Sequence, residues 1–420
     1  MNRTRSLLLR PRYWLLATMA FAVGADSLPA PAPPARAEPV TPSEDQKAII
    51  AKIAPSGAKI GYADPASNAI GAEIRLPLWE DKVIVLRRKG STLREDGSIS
   101  WHGEVEETGE RALLMVWGNA LLTGYFAYKG TVFAVESLGG GVHAFAELNR
   151  GKQLPDHPQP SARRDNLAPM ALNRAAMGRS TPPEPRVPEL SDFDRKALEA
   201  KKITIDVMLL YTENVAKRYV RDPADLMALV IEEANELFVN SGLGNIQLRL
   251  AYTQVINYDA RTDDQFTHLY AMVDGLGPFK DVRRLRDEKR ADIVGLIIDN
   301  PKGCGLSTRV GPDSDEAFFV VHHACATTMM SVAHEIGHIV GIRHDRFVDE
   351  SNVPLAYGHG YVNGTKWRDV MSYNEGCGGC PRIPYWSNPR VMYKGEPTGT
   401  RAADSARVIL ELAERISRFR

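Results

Sequence analysis

The chain has few cysteines and no excess of charge of either sign. Its 420 residues include 4 cysteines, and 52 basic residues balance 52 acidic ones. This balance excludes a global basic field for nucleic acid and an acidic interaction tail. Downstream of the N-terminus, no apolar run reaches the roughly 20 residues that a membrane-spanning helix needs. With 44% hydrophobic residues, the chain has the composition of a globular protein of about two or three domains.

The N-terminal segment has the order of features of a secretory signal. An apolar run over about residues 13–25 follows four basic residues, which are Arg3, Arg5, Arg10 and Arg12. We expect residues 1–25 to be a signal peptide that is cut after Ala25, with a cut after Ala37 as the alternative. The run is too short and too diluted by small residues to span a bilayer, and an uncleaved N-terminal anchor is a second alternative. The sequence thus predicts a secreted protein without a stable membrane anchor, extracellular or, in a Gram-negative host, periplasmic.

The cysteines all lie near the C-terminal end of the chain, at Cys304, Cys325, Cys377 and Cys380. An even number in an exported chain predicts two disulfides, for which three connectivities exist, and we favour Cys304–Cys325 with Cys377–Cys380. The competing interpretation is a structural zinc on all four thiolates, because Cys377-Gly-Gly-Cys380 has a ligand-like spacing. An oxidising compartment favours the disulfides.

Composition divides the chain after the signal into three zones, of which the first carries no metal-ligand spacing. Residues 38–152 contain short apolar stretches, such as 83–86 and 113–117, between glycine-bearing turns, and this pattern predicts a β-rich domain. Residues 153–198 are rich in proline and predict an accessible linker with a processing site. The basic pairs Arg163-Arg164 and Lys201-Lys202, in or beside this linker, are the candidate cleavage points.

The third zone, residues 199–420, alternates predicted strands and helices. Strands are predicted over 203–211, 246–255 and 293–298, and an amphipathic helix is predicted over 224–239. Strands that alternate with helices imply a largely parallel, twisted sheet with helices packed on it. The predicted fold class of this zone is therefore α/β, or α+β in some schemes.

The strongest chemical signal is the segment 334–345, which reads His-Glu-Ile-Gly-His-Ile-Val-Gly-Ile-Arg-His-Asp. His334 and His338 are one helical turn apart on one face, where two imidazoles can bind one ion at about 2.1 Å. We expect the helix to cover 326–340, with Thr327 or Thr328 as its N-cap. Gly341 can leave the helix through a positive φ, which turns the chain so that His344 approaches the same ion.

The spacing predicts a catalytic zinc site. Three neutral imidazoles leave one tetrahedral position of Zn²⁺ open, which distinguishes a catalytic zinc from a structural one. Glu335, next to the first ligand, can take a proton from water that the ion acidifies and pass it to a leaving amine. The sequence therefore predicts one Zn²⁺ on His334, His338 and His344, with Glu335 as the general base of peptide-bond hydrolysis.

A second segment connects this motif to a known family. The helix motif, followed by Asp369-Val370-Met371-Ser372-Tyr373, resembles the metzincin clan of zinc peptidases, whose zinc motif precedes a turn that contains methionine. Within the clan, His344-Asp345 is similar to the reprolysin (adamalysin-like) branch. The stretches 382–389 and 397–400 resemble bacterial secreted peptidyl-Asp metalloendopeptidases. The resemblance covers residues 199–420.

The resemblance implies a zincin-like catalytic domain with a twisted mixed sheet and a small C-terminal subdomain. An antiparallel edge strand over 305–310 would bind extended substrate, and Met371 would lie under the zinc ligands. Tyr373 matches a position where astacin-like and serralysin-like relatives carry a tyrosine that can touch zinc or the reacting carbonyl. Asp345 would anchor the turn below the ligands rather than take part in the chemistry.

By the same resemblance, the β-rich region would be a prodomain and an intramolecular inhibitor. No cysteine precedes Cys304, which excludes a thiol that caps the metal, and latency would use steric cover or another ligand such as Asp156 or His157. Both of these read as ordinary loop residues. The predicted enzyme is a monomer that acts on proteins or peptides and does not bind nucleic acid. A preference for acidic (Asp) side chains would need a positive pocket, with four candidate residues: Arg343, Lys366, Arg368 and Arg382.

Two other classes of function compete with an active endopeptidase. They are an inactive relative that binds peptide and a zinc hydrolase of a non-peptide substrate. The intact Glu335 argues against the first, and the peptide-binding edge strand argues against the second. Three further histidines, His322, His323 and His359, have no partner at ligand spacing, and we expect them to be structural or surface residues.

Overall fold

The computed structural model describes residues 41–53, 59–62, 72–79, 82–94, 97–117, 121–139, 141–148, 154–158, 184–218, 223–327 and 329–420. The predicted signal peptide and the candidate cleavage point Arg163-Arg164 lie outside the described residues. Within the described ranges, no helix is both long enough and apolar enough to cross a membrane.

The β-rich region forms one antiparallel sheet after a short helix, α1 (Glu44–Ile53). The sheet has the strand order β1-β8-β7-β6-β5-β4-β3-β2. The strands are β1 Lys59–Tyr62, β2 Glu73–Trp79, β3 Lys82–Leu93, β4 Ile99–Val105, β5 Arg111–Trp117, β6 Leu121–Tyr128, β7 Thr131–Gly139 and β8 Val142–Leu148. Side chains from these strands, among them Trp101, Phe126 and Phe145, share one apolar core. The short apolar stretches of the sequence therefore lie in strands, as predicted.

The C-terminal region is built on a five-stranded mixed sheet with the order β10-β9-β11-β13-β12. Four strands are parallel, and the edge strand β12 is antiparallel to β13, with Gly305 opposite Val321. This arrangement confirms the predicted α/β class. The elements are α2 Asp192–Glu199, β9 Ile203–Thr212, α3 Glu213–Ala216, α4 Ala224–Asn240, β10 Ile246–Ile256, α5 Gln265–Val273, α6 Val282–Lys289, β11 Ile293–Ile298, β12 Gly305–Ser307, β13 Phe318–His322 and α7 Ser331–Val340.

Helices cover both faces of this sheet. α4 and α7 pack with Val207 and Ile297 on one face, whereas α5 and α6 pack with Met208 and Leu296 on the other. Because neighbouring residues of a strand point to opposite faces, a strand that is covered on both sides is apolar throughout. All six residues of β11 are buried, in agreement with this rule. The sheet thus gives α7 a fixed support.

The chain after α7 is mostly irregular. It contains two short hairpins, β14 Val362–Asn363 with β15 Trp367–Arg368 and β16 Met392–Tyr393 with β17 Glu396–Pro397. The last helix, α8 (Ser405–Ile416), packs in the same core as α4 and α7, and Asp404 caps its N-terminus. This irregular part corresponds to the small C-terminal subdomain that the family resemblance implies.

The predicted start of the histidine-bearing helix was wrong. α7 begins at Ser331, and its N-cap is Met330, which has φ 56° and makes no side-chain cap hydrogen bond. The residues before the helix form turns, because Cys325 is tied to Cys304 by a disulfide and Met330 N donates to Thr327 O at 2.6 Å. Thr328 lies outside the described residues.

The edge strand is shorter than predicted. β12 covers Gly305–Ser307 rather than 305–310. Gly311 has φ 65°, and its N–H donates to His338 O at 2.8 Å, so the chain leaves the sheet and crosses toward the end of α7.

The β-rich sheet contacts helix α4 through buried ionic groups. Arg111 donates from Nη1 to Glu233 and from Nε to Glu236, in each case at 3.1 Å. The Tyr125 hydroxyl also donates to Glu233. Burial raises the pKa of Glu233 to about 7, against the opposing effect of Arg111. Leu229 of α4 packs in an apolar cluster with side chains of the β-rich sheet. The two regions therefore share one packed interface.

Candidate metal centre

Helix α7 carries His334, Glu335 and His338 into the interior of the protein. All ten of its residues are buried. Val332 and Ile339 belong to the core beside the sheet, which fixes the rotation of the helix. His334 and His338 lie one turn apart on another face, with their ring centroids 4.8 Å apart. The helix therefore presents two imidazoles side by side.

Gly341 ends α7 and turns the chain toward a third imidazole. Its φ of 123° lies in the region that favours glycine, and its N–H donates to His338 O at 3.0 Å. His344 Nε2 then lies 2.9 Å from His338 Nε2 and 3.3 Å from His334 Nε2. The structure thus brings together the three histidines that the sequence predicts as ligands.

The donor set fits a divalent cation. His334 Nδ1 donates to a backbone carbonyl at 2.9 Å and His338 Nδ1 donates to another at 2.8 Å, so each Nε2 carries a lone pair instead of a proton. Lone pairs directed at one point repel one another unless a cation lies between them. Tetrahedral ligands at about 2.1 Å from zinc are about 3.4 Å apart, close to the observed separations. Burial lowers the pKa of His338 to about 3 and the pKa of His334 and His344 well below the usual range, which keeps all three neutral.

A turn next to the histidines carries Met371. The Asp369 carboxylate accepts from Met371 N at 3.1 Å and from Ser372 Oγ at 2.6 Å, which fixes the turn. The carbonyl that orients His334 belongs to Val370, the residue before Met371. The position of the turn is therefore coupled to the orientation of the first predicted ligand.

Asp345 and Tyr373 connect the same turn to the third histidine. The Asp345 carboxylate accepts from Tyr373 N at 2.9 Å and from Phe347 N at 3.0 Å. The Tyr373 ring centroid lies 4.3 Å from that of His344. Its buried hydroxyl has no hydrogen-bond partner among the described residues. Asp345 thus holds the turn through the hydrogen bond from Tyr373 N. The Tyr373 hydroxyl is able to bind another group.

Glu335 faces the edge strand β12. A Cβ on Gly305 would lie 2.5 Å from Glu335 Oε1, so a glycine at this position leaves the space that the carboxyl group occupies. Burial raises the pKa of Glu335 well above its usual range, whereas hydrogen bonding to Ser307 lowers it. Glu335 Oε2 has no hydrogen-bond partner in the part of the chain that is described. A carboxyl group in this position can exchange a proton with water beside the cation site.

Comparison with known proteins gives the family of this chain. A family model described as Metallo-peptidase family M12 matches residues 201–387. A peptidyl-Asp metalloendopeptidase of Xanthomonas campestris pv. campestris is 30% identical over 81% of this chain and 82% of its own length. Another, from Stenotrophomonas maltophilia strain K279a, is 30% identical over 83% of each chain. The chain belongs to the M12 metallopeptidase family.

Membership in this family makes the protein a zinc metalloendopeptidase and confirms the predicted enzyme class. A shorter match, to a peptidyl-Asp metalloendopeptidase of Pseudomonas fragi, has 44% identity over 23% of this chain and 62% of that protein. Among solved structures, metalloproteinase-II from Bacteroides fragilis covers 72% of this chain and 84% of its own at 12% identity, with a TM-score of 0.41 that is too low to bear on the fold.

The cysteines of this M12 metallopeptidase form the two pairs that the sequence analysis favours. The sulfur atoms are 2.06 Å apart in Cys304–Cys325 and 2.02 Å apart in Cys377–Cys380. Because the two pairs are bonded within themselves, the structure does not agree with a zinc ion on four thiolates. The first pair connects the residue before β12 to the turns before α7, and so joins the chain at the edge strand to the chain that leads into the histidine-bearing helix.

Three other histidines of the M12 metallopeptidase have imidazoles that do not join the three predicted ligands, although the ring of His359 contacts the backbone carbonyl of His344. His359 is buried and contacts two backbone carbonyls at 2.8 Å each. His322 and His323 lie 3.6 and 3.5 Å from the Asp299 carboxylate. Arg218 contacts the same carboxylate at 2.8 Å and already neutralises its charge. This second cluster is therefore a poorer cation site than the three converging imidazoles.

Two residues that are predicted above to be ordinary loop lie between the edge strand β12 and the predicted metal ligands of the M12 metallopeptidase, a space that we call the cleft. His157 Nε2 lies 3.1 and 3.3 Å from the Nε2 atoms of two predicted ligands. The Asp156 carboxylate lies 2.9 Å from Arg382 Nη2. The sequence feature that could have identified this segment is the pair of flanking prolines, Pro155 and Pro158. Proline fixes its own φ and favours an extended conformation in the residue before it. Composition alone assigned these prolines to a linker.

We expect Gly337→Ala to lower the free energy of unfolding of this M12 metallopeptidase by about 1–3 kcal/mol. The added Cβ would lie 2.7 Å from Met371 Sδ and 2.7 Å from the Trp386 ring, although alanine would favour the helix by itself. Chemical denaturation measures the effect. Gly244→Ala is the control, because no atom lies within 4 Å of its added Cβ. Equal stabilities of the two variants would contradict close contact between α7 and the turn that carries Met371.

Proposed function

We propose that this protein hydrolyses peptide bonds with one Zn²⁺ held by His334, His338 and His344. The proposal rests on the convergence of their Nε2 atoms. Those of His338 and His334 lie 2.9 and 3.3 Å, respectively, from that of His344. When bound, zinc polarises a carbonyl group and acidifies water. Among the described residues of 199–420, no fourth ligand joins the three imidazoles, which is the pattern of a catalytic site.

Glu335 is the general base in this proposal. It follows His334 on α7, and its buried carboxyl group lies beside Gly305 of the edge strand. It takes the proton of the attacking water and then gives it to the leaving amine. Burial raises the pKa of Glu335 well above its usual range, whereas hydrogen bonding to Ser307 opposes that shift and favours the ionised form that the first of these steps needs. The Oε2 atom, which has no partner among the described residues, is available to accept that proton.

Tyr373 supports the reaction by donating a hydrogen bond to the substrate carbonyl oxygen as negative charge develops on it. Two observations support this role. The hydroxyl is buried without a partner in the described part of the chain, and the ring lies 4.3 Å from the ring of His344. Burial raises the pKa of Tyr373 well above its usual range, so the hydroxyl keeps the proton that it donates.

Extended substrate would bind along the edge strand β12. The backbone N–H groups of Gly305 and of Cys304, the residue before β12, would donate hydrogen bonds to such a chain. In the structure they donate to Pro155 O at 2.8 Å and to Asp156 O at 3.2 Å. Main-chain pairing of this kind binds a peptide without demanding particular side chains.

The preference for acidic side chains would come from Arg382 and Arg368. Their side chains are only 6% and 4% exposed. Arg382 Nε has no acceptor among the described residues. The other two candidates are already paired, Arg343 with Asp349 at 2.8 Å and Lys366 with Glu396 at 2.6 Å. The names of the curated relatives agree with an aspartate preference.

The chain is, in this proposal, an exported precursor. Residues 1–25 are the signal peptide, 38–152 the inhibitory prodomain, 153–198 the linker with the processing site and 199–420 the catalytic domain. Two disulfides agree with an oxidising compartment outside the cytoplasm. The buried contacts of Arg111 with Glu233 and Glu236 would keep the prodomain on α4 until the linker is cut.

We expect Glu335→Gln to reduce kcat for casein or a peptide by about 10²–10⁴, because general-base catalysis contributes about that much. Zinc content, measured by mass spectrometry, should stay at the wild-type level because the three imidazoles are unchanged. A kcat for Glu335→Gln close to that of the unmutated enzyme would contradict the assignment of Glu335 as the base.

We expect Tyr373→Phe to reduce kcat as well, by up to about 10²–10³, because the substrate oxygen loses a hydrogen bond. An unchanged kcat for Tyr373→Phe would contradict the role of Tyr373 as a hydrogen-bond donor.

We expect Arg382→Met to reduce kcat/KM for a peptide with aspartate at the preferred position by about 10- to 100-fold, which corresponds to the loss of a charged hydrogen bond. The same peptide with asparagine should be affected much less. Lys366→Met is the matched control, since Lys366 is 61% exposed and pairs with Glu396. An unchanged Asp-to-Asn ratio in folded Arg382→Met would exclude this arginine as the specificity residue.

N-terminal sequencing of the active protein from the culture medium tests the proposed processing. We expect the active form to begin after one of the basic pairs, Arg163-Arg164 or Lys201-Lys202, since these lie in or beside the accessible linker. An active form that still contains the β-rich region would show that removal of this region is not required for activity.

A further inference from the structure

We propose that residues 154–158 are a built-in inhibitor that occupies the cleft as a substrate does. In this proposal, His157 is a fourth protein ligand of the metal, and Asp156 binds Arg382 and Arg368, which together form the arginine pocket. This inference rests on the proposed function, because it requires the zinc site and the cleft described above. It goes further by assigning two residues of the precursor to positions that substrate and water take in the mature enzyme.

The main chain of this segment pairs with the edge strand. Pro155 O and Asp156 O accept hydrogen bonds from the backbone at residues 304 and 305, at 2.8 and 3.2 Å. A Cβ on Gly303 would lie 2.5 Å from Pro158 N, so glycine permits this close approach. The segment therefore uses the same backbone groups that an extended substrate would use.

His157 has the geometry of a metal ligand. Its Nδ1 donates to Gly305 O at 3.0 Å, which leaves the Nε2 lone pair directed into the site. This Nε2 lies 3.1 Å from His344 Nε2 and 3.3 Å from His334 Nε2, separations close to those among the predicted ligands themselves. Four histidines thus surround one point. Four protein ligands close the tetrahedral set of zinc and leave no position for water.

Asp156 resembles an acidic substrate residue. Its carboxylate lies 2.9 Å from Arg382 Nη2 and 3.7 Å from Arg368 Nη1. These are the two buried arginines to which we assign the acidic preference. In the precursor, neighbouring residues of one segment therefore bind both the metal and the two arginines of the arginine pocket.

The sequence of the segment explains why it inhibits without being cut. The imidazole of His157 takes the place at which a scissile carbonyl would meet the metal, and its Nδ1 lies 3.9 Å from Glu335 Oε1. The general base therefore has no water to activate. Pro155 and Pro158 restrict the backbone to extended conformations before binding, which reduces the entropy that the segment loses in the cleft.

Zinc-edge X-ray absorption of the full-length protein tests the fourth ligand. All samples carry Glu335→Gln so that the precursor does not cut itself. We expect four imidazole nitrogens at zinc in this precursor and three after the further change His157→Ala, with one zinc per chain in both. Thermal unfolding shows whether each variant is folded, and His157→Gln serves as a second variant. The same number of imidazoles in all folded samples would overturn the proposal.

Inhibition in trans tests the substrate-like binding of both residues. An acetylated, amidated peptide with the sequence Leu-Pro-Asp-His-Pro of residues 154–158 is added to the mature enzyme obtained by processing. We expect competitive inhibition that weakens at least about tenfold in the Asp156→Asn and the His157→Ala peptides. Equal inhibition by all three peptides, or none by the first, would overturn the proposal. An inactive mature enzyme would instead refute the proposed function, and the absorption experiment would still decide the fourth ligand.

Discussion

Imidazole nitrogens that face one another inside a protein are unfavourable unless a cation separates them. Most of the features around α7 follow from the need to hold three such nitrogens in place. Gly341 turns the chain at φ 123° so that His344 can face the helix. The turn of residues 369–373 accepts a hydrogen bond from His334 through a carbonyl at 2.9 Å, and its Tyr373 N–H donates to the carboxylate of Asp345, next to the third histidine, at 2.9 Å. Helix and turn therefore stabilise one geometry together.

In our account, the same cleft binds two different occupants at different times, through three kinds of contact. The edge strand offers backbone hydrogen bonds, the arginines offer positive charge and the metal offers a coordination position. Substrate uses all three during the reaction, and the segment around His157 uses all three in the precursor. Because both compete for the same contacts, the strength of latency and the specificity of the enzyme are set by the same residues. Cutting the linker would turn an intramolecular ligand into one that can diffuse away.

Much of the catalytic region could be predicted from sequence because its signals are local. The spacing of His334 and His338 follows from helix geometry, and the apolar run of β11 follows from burial on both faces of a sheet. The start of α7 could not be predicted in this way, since the disulfide at Cys325 holds the preceding residues in turns. The choice of Arg368 and Arg382 among four basic residues, and the place of His157, depend on contacts between distant parts of the chain. Local sequence patterns do not specify contacts between residues that are far apart in the chain.

One zinc ion held by His334, His338 and His344 would account for the geometry around α7. An anomalous difference map from crystals of this protein, measured on both sides of the zinc absorption edge, would show whether the ion is there. Our account predicts one strong peak at about 2.1 Å from the Nε2 atom of each of the three histidines. Absence of a peak there, or a peak at the Asp299, His322 and His323 cluster alone, would contradict it.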